Sequence, residues 1–162
     1  MQLKKMFLFL CILLFTSFSI QSSKIELLKV REVKEKKLDI DYEQVRLIES
    51  CNKDSIISSE GAIGAMQITP IVLKEWNKNH SIKYQNKDLL NRKINMKIGT
   101  WLLSEQIPLY FNQDSIPDKL TYKLIAYNWG IGNFKRWYKQ GHHYYKLPDE
   151  TRDYLVKYWD KY

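Results

Sequence analysis

Apolar positions recur along this chain every three or four residues and never alternate strictly over any length. That period predicts helices and no β-sheet. The first such run begins near Ile40, where Tyr42, Val45 and Ile48 share one stripe and Glu43 and Arg46 fall on the solvated side. The next follows Thr69 and Pro70, an N-cap and first-turn pair, and carries Ile71, Val72, Leu73 and Trp76. A longer run extends from Asn91, read as an N-cap, to about Gln106, with Ile94, Ile98, Trp101, Leu102 and then Glu105 on one face. Gly99 inside it costs about 1 kcal/mol against Ala, which predicts a close helix crossing. Pro108 is expected to break or kink that helix. Pro117-Asp118 starts another, with Leu120, Leu124 and Tyr127 on one face and a stop at Gly130. Gly132 and Asn133 predict a turn into a short aromatic segment, Phe134 to Tyr138, and Gly141-His142-His143 reads as a loop. Leu147-Pro148-Asp149-Glu150 opens a last helix, acids first where the helix dipole favours them, with Tyr154, Leu155 and Tyr158 facing the core. The sum is an all-α domain of about six helices, without repeats or low-complexity sequence.

The first residues follow a different pattern. Lys4 and Lys5 precede an almost unbroken apolar run from Met6 to Ile20, with Ser22 and Ser23 beyond it. That is the pattern of a secretory signal peptide, assigned to 1–22. A membrane anchor is the competing reading, but the run is shorter than the ~20 residues a span requires. Cleavage and export to the periplasm or cell envelope are therefore expected. Cys11 has Leu10 before it and lacks the small residues of a lipidation site. Residues 23–39, rich in Lys, Glu and Arg, read as a charged linker or frayed helix, and 40–162 as one domain. Cleavage would leave Cys51 alone, in a mostly apolar helical neighbourhood, so a buried, inert thiol is expected and no disulfide framework. The formal charge of +8 falls to about +6 without Lys4 and Lys5. A basic exported protein favours anionic partners such as cell-wall polymer or a membrane surface, and export argues against nucleic acid. The lysines are scattered, which equally suits plain solubility.

Candidate chemistry concentrates between Glu49 and Pro70. Glu49 lies four residues after Val45 and seven after Tyr42, so it falls on the apolar stripe. Desolvation there raises a carboxyl pKa toward what a general acid needs. The same position also suits a glutamate that pairs with a lysine or caps the next element. Asn52 to Ser59 is a polar loop, and Gly61 and Gly64 permit a tight turn and close approach of a substrate. Eleven Tyr and five Trp are a high aromatic load, and Tyr and Trp faces stack on sugar rings as readily as they fill a core. Trp129, Trp137, Tyr138, Tyr144 and Tyr145 cluster after Tyr127-Asn128. No metal or cofactor is expected: His142 and His143 are adjacent, His80 is remote, and there is no phosphate loop, Cys-x-x-Cys or Ser-His-Asp spacing.

Four blocks in order carry a resemblance. Glu49-Ser50, Ser58 and Gly61-Ala62-Ile63-Gly64-Ala65-Met66-Gln67-Ile68-Thr69-Pro70 resemble the signature of Slt-type lytic transglycosylases, relatives of goose-type lysozyme. Ile94-Asn95-Met96 with Gly99, Ala126-Tyr127-Asn128 with Gly130, and Leu147-Pro148-x-Glu150-Thr151-Arg152-x-Tyr154 resemble that family's later blocks. The match spans about Ile40 to Tyr158. It implies a lysozyme-like helical fold with a substrate cleft, and cleavage of the β-1,4 bond between N-acetylmuramic acid and N-acetylglucosamine in peptidoglycan. The resemblance makes Glu49 the single catalytic carboxyl. It protonates the glycosidic oxygen, then takes the proton from the C6 hydroxyl of the same muramoyl residue as that oxygen closes on C1. The product is 1,6-anhydro and no water is used. A second carboxylate is then not needed, whereas ordinary glycosidases require one; Asp54, in the loop, is the nearest alternative. Ser58, Met66, Gln67, Tyr127 and Asn128 are implied as substrate-binding residues, and Glu150 as a residue that holds helices together. Two departures stand out: Ala65 replaces the usual Leu beneath the Gln67 turn, and Trp129 replaces a small residue and is expected to narrow a sugar subsite or add a stacking surface to it.

Two other readings fit the same residues: a muramidase that hydrolyses the same bond, and a non-catalytic wall-binding or secretion-accessory module. Expected partners are peptidoglycan strands, with the chain as a monomer. The small size suggests a local task, such as opening a gap for a secretion or conjugation apparatus.

Overall fold

The computed structural model describes residues 39–161. The expected signal peptide, and the charged segment as far as residue 38, lie outside the described residues. Among the described residues seven α-helices follow one another: α1 Tyr42–Ser50, α2 Pro70–Asn79, α3 Arg92–Trp101, α4 Ile107–Gln113, α5 Leu120–Trp129, α6 Ile131–Lys139 and α7 Asp149–Trp159. Short 3₁₀ turns, Asn86–Leu90 and Tyr144–Lys146, precede α3 and α7. Among the described residues there is no β-strand, only isolated bridges of Ile63 to Ile57 and to Ile68. The fold is all-α, as the periodicity predicts.

Local chemistry explains most boundaries. Thr69 Oγ1 accepts from the Val72 N–H at 3.4 Å, and Asn91 Oδ1 from those of Lys93 (3.0 Å) and Ile94 (3.4 Å), so both act as N-caps. The first helix starts slightly later than Ile40, because Asp41 Oδ1 caps it through the Gln44 N–H at 2.9 Å. Arg46, expected in solvent, is buried; its guanidinium donates to Glu43 Oε2 at 2.7 Å and to Asn52 Oδ1. Cys51, expected buried, is exposed. It occupies the left-handed C-cap of α1 (φ 49°), where the chain turns off the helix and carries the thiol away from the apolar stripe.

Pro108 does not end its helix. A π-turn, Leu102–Gln106, joins α3 to α4, and the chain stays helical from 92 to 113. The Ile107 N–H donates to Leu102 O, five residues back. The wider turn leaves room before a residue that has no N–H and whose ring would clash with the preceding turn. The extra residue also shifts the buried face. Leu103, Gln106, Ile107 and Phe111 are buried, while Glu105, expected on that face, is exposed. Gly132 and Asn133, expected in a turn, lie inside α6; Gly130 alone makes the break (φ 86°), and Asn133 Nδ2 caps the Trp129 carbonyl at 2.8 Å. Gly99 admits the Met66 side chain rather than another helix, since a Cβ there would stand 2.5 Å from Met66 Sδ.

Aromatic rings fill the core around α4, α5 and α6: Phe111 and Phe134 are 4.9 Å apart and Phe134 and Trp137 5.7 Å. Tyr158 Oη accepts from the Asp41 N–H at 2.9 Å, and Gln44 Nε2 donates to the Lys157 carbonyl at 2.9 Å, so α7 is fastened to the start of α1. Asn95 is fully buried and uses its whole side chain: Nδ2 donates to the carbonyls of Ile63 (2.7 Å) and Leu89 (2.8 Å), and Oδ1 accepts from the Met66 N–H (2.7 Å). Asn95→Ala takes their side-chain partner from the Met66 N–H and the Leu89 carbonyl inside the protein, while the Ile63 carbonyl keeps the Ile68 N–H at 3.0 Å. A loss of about 3 kcal/mol is expected from such groups, measured as a lower urea midpoint at unchanged slope.

Candidate active site

The stretch between α1 and α2 is a loop that hydrogen-bonds to itself. The Ser58 N–H donates to the Ala62 carbonyl at 2.9 Å, and Ser58 Oγ accepts from the N–H groups of Ala62 (3.0 Å) and Glu60 (3.3 Å). Gly64 (φ 79°) leaves no room for a side chain, as a Cβ would lie 2.3 Å from the Leu89 carbonyl oxygen. Gln67 is left-handed without being glycine (φ 48°), and its Nε2 donates to the carbonyls of Gly64 (3.0 Å) and Ile56 (3.4 Å). Such backbone strain persists only where the surroundings impose it. Here Ile63 and Ile68 exchange two backbone hydrogen bonds of 3.0 Å across the turn. Ala65 is fully buried beneath it.

Met66, a candidate substrate contact by its motif, has a fully buried side chain seated on Gly99. Its backbone links the loop to the helices, because its carbonyl accepts from Tyr127 Oη at 2.7 Å. Tyr127 in turn stands beside Glu49; its own burial first, and then the Glu49 charge, push the phenol pKa well above 10. Asn128, next on α5, accepts from Thr151 Oγ1 of α7 at 2.8 Å. Among the described residues its amide N–H groups meet no hydrogen-bond partner, and neither does Gln67 Oε1. Glu49, Tyr127 and Tyr154 are thus brought together, Asn128 is held on the adjoining turn of α5, and Ser58 and Gln67 shape the loop.

Among the described residues Glu49 is the carboxyl whose pKa is raised. It ends α1, partly buried, and desolvation raises its pKa from 4.5 to about 7. The adjacent Tyr154 hydroxyl opposes that rise and the charge of Glu150 adds to it. A carboxyl poised near neutrality can give a proton and take one back.

Other expectations shift. Asp54 pairs with Arg92 Nε at 2.7 Å, and the carboxylate whose charge bears on Glu49 is Glu150 of α7. Glu150 is exposed, and among the described residues it forms no ion pair. Trp129 is half-buried against the core, two positions and so about 200° around α5 from Tyr127. Trp137 and Tyr138 pack on Phe134, whereas Tyr144 and Tyr145 are exposed. The sequence reading missed Asn95 and left Tyr154 to the core. A polar residue between Ile94 and Ile98 was the signal for the first, and the four-residue spacing of Glu150 and Tyr154, one helical face, for the second.

Fold and site together define a lysozyme-like helical domain built around one desolvated carboxyl. A family model described as the transglycosylase SLT domain matches residues 33–147, and the chain belongs to that family. Among solved structures it is similar to that of an inactive Glu-to-Gln mutant of the lytic transglycosylase Slt from Pseudomonas aeruginosa, at 25% identity and a TM-score of 0.57. The likeness covers 80% of this chain but 22% of that one. No curated protein matches at a comparable level.

A raised carboxyl pKa is also a statement about stability. Between pH 4.5 and about 7 the folded chain keeps a proton on Glu49 that the unfolded chain gives up. The stabilisation is fully present below 4.5 and lost as pH rises through 7. Glu49→Gln should therefore melt higher than wild type at pH 8, by at most about 3 kcal/mol, and match it near pH 4, as thermal unfolding at both pH values will show.

Proposed function

We propose that the protein is a peptidoglycan lytic transglycosylase that cleaves the β-1,4 bond between N-acetylmuramic acid and N-acetylglucosamine, with Glu49 as its single acid and base. The observation that carries this reading is the Glu49 carboxyl, brought to about 7 by desolvation at the end of α1. Protonated, it gives its proton to the glycosidic oxygen and the bond to C1 breaks. As carboxylate, it takes the proton of the muramoyl C6 hydroxyl, whose oxygen closes on C1 to form the 1,6-anhydro ring. The free amide groups of Asn128 and the Gln67 turn, with Ser58, supply polar contacts for the sugar. Tyr127 fixes the floor between Glu49 and Met66. Peptidoglycan places the work outside the cytoplasm, consistent with the export pattern of residues 1–22. Among the described residues no helix is long and apolar enough to cross a membrane.

Hydrolysis of the same bond is the second reading, and one observation favours it: Glu150 brings a second carboxylate toward Glu49, as a base for water would need. Mass spectrometry of muropeptides released from purified walls separates the two. The anhydro product is lighter by one water than the hydrolysis product. Glu49→Gln should lower release by about 10²–10⁴-fold, and full activity in that variant would sink the proposal.

A further inference from the structure

The residues from Gly141 to Lys146, between α6 and α7, are all exposed, yet their backbone is tied down. The His142 N–H donates to the Trp137 carbonyl at 3.1 Å, and the Trp137 indole N–H donates to the His143 carbonyl at 3.0 Å. The Leu147 N–H meets the Tyr144 carbonyl at 3.1 Å. Arg152 of α7 donates to the Tyr145 carbonyl at 3.2 Å and also to that of Leu147. None of these bonds uses the side chains of Tyr144 and Tyr145, which stay 47% and 71% exposed. The Tyr145 ring lies against the His143 ring, with centroids 5.3 Å apart and planes 15° apart. Gly141 leaves room for that imidazole, because a Cβ there would stand 3.2 Å from His143 Nε2. His80 and His142 stack on rings that belong to the core or pack against it, Trp76 and Tyr138. His143 instead stacks on a ring in solvent. Such a pair contributes little to the core, and fixed aromatic surface left in water marks a place of contact. Its backbone is ordered before any ligand arrives, which lowers the entropic cost of binding.

We propose that the His143–Tyr145 pair, with Tyr144 beside it, is an accessory stacking platform for the N-acetylated glycan strand. The proposal rests on the peptidoglycan reading and deepens it. A β-1,4-linked pyranose with equatorial substituents presents flat faces of axial C–H bonds. Such a face lies on an aromatic ring, while the phenol hydroxyl at the ring edge stays free for polar groups of the sugar. Within the exposed stretch from Gly141 to Lys146, Lys146 is the one formal charge, and Arg152 is paired with Asp149, so a neutral ring suits the platform better than an anionic surface. The platform is joined to the candidate active site through α7. Arg152, which fixes the Tyr145 carbonyl, follows Thr151, which holds Asn128.

The test uses the full chain as Glu49→Gln, which binds without turnover, alone and combined with Tyr145→Ala or Tyr145→Phe. The probe is chitotetraose, the β-1,4-linked tetramer of N-acetylglucosamine, and the imidazole resonances of labelled histidines are followed during its addition. Chitotetraose should shift the His143 signals. Tyr145→Ala should weaken that binding about tenfold, as loss of a contacting aromatic does, and Tyr145→Phe should keep it, because the ring face is what binds. With Glu49 intact, Tyr145→Ala should raise KM on purified peptidoglycan by a similar factor at unchanged kcat. Equal urea midpoints establish that the variants fold alike. His143 signals that ignore chitotetraose, a Tyr145→Ala chain that binds as tightly as its parent, or a Tyr145→Phe chain that loses as much as Tyr145→Ala each overturn the platform. So does a His143 response to phosphatidylglycerol vesicles and not to the sugar. Chitotetraose bound at His143 by a protein whose wild type releases no muropeptides would defeat the lytic reading alone.

Discussion

The amide of Asn95 joins three pieces of chain that no helix connects. It holds the carbonyl of Ile63 on one side of the loop turn, the N–H of Met66 on the other, and the carbonyl of Leu89 from the segment leading into α3. Each of those backbone groups is away from water and would be costly unpaired. With Met66 fixed, its side chain fills the gap that Gly99 leaves and its carbonyl meets Tyr127. Tyr127 then closes the wall beside Glu49. A buried amide in α3 is thus linked to the surroundings of a carboxyl on α1 through Met66 and Tyr127.

Around that carboxyl the protein accepts strain and unmet polarity. Gln67 is held in the left-handed region, Tyr154 keeps an open hydroxyl, and Glu49 itself is harder to ionise than an ordinary glutamate. Each costs stability that a chain selected for folding alone would recover. Opposite them stands a well-filled core: the tilted rings of Phe111, Phe134 and Trp137 packed together, and an α7 fastened to α1 through Tyr158. A rigid frame carrying a strained loop is the arrangement a positioned acid requires.

Where sequence reasoning failed, it failed on register and on ends. The α3–α4 stripe was followed correctly to Trp101 and then lost, because a π-turn adds one residue to the turn and moves burial from Leu102 and Glu105 to Leu103 and Gln106. The missing N–H of Pro108 is a local fact that predicts a break, whereas the wider turn that accommodates it is not local. Cys51 was read as buried from its neighbours, and one left-handed residue turned it out. Gly99 did mark a close approach, but to a loop methionine and not to a helix.

The sequence by itself determined the helical class, the N-caps at Thr69 and Asn91, and the stripe that carries Glu49 inward, because these depend on spacing and on side chains a few residues apart. Its four ordered blocks also determined the family. What only the tertiary structure decided was which groups face Glu49. Tyr127 and Tyr154 come from helices 78 and 105 residues further along the chain, and Glu150 from the turn before Tyr154. Desolvation is a sum over everything packed around a group, so no local pattern fixes its size. The sequence could place an acid on an apolar face, but only the packing of α5 and α7 against α1 brought its pKa to about 7.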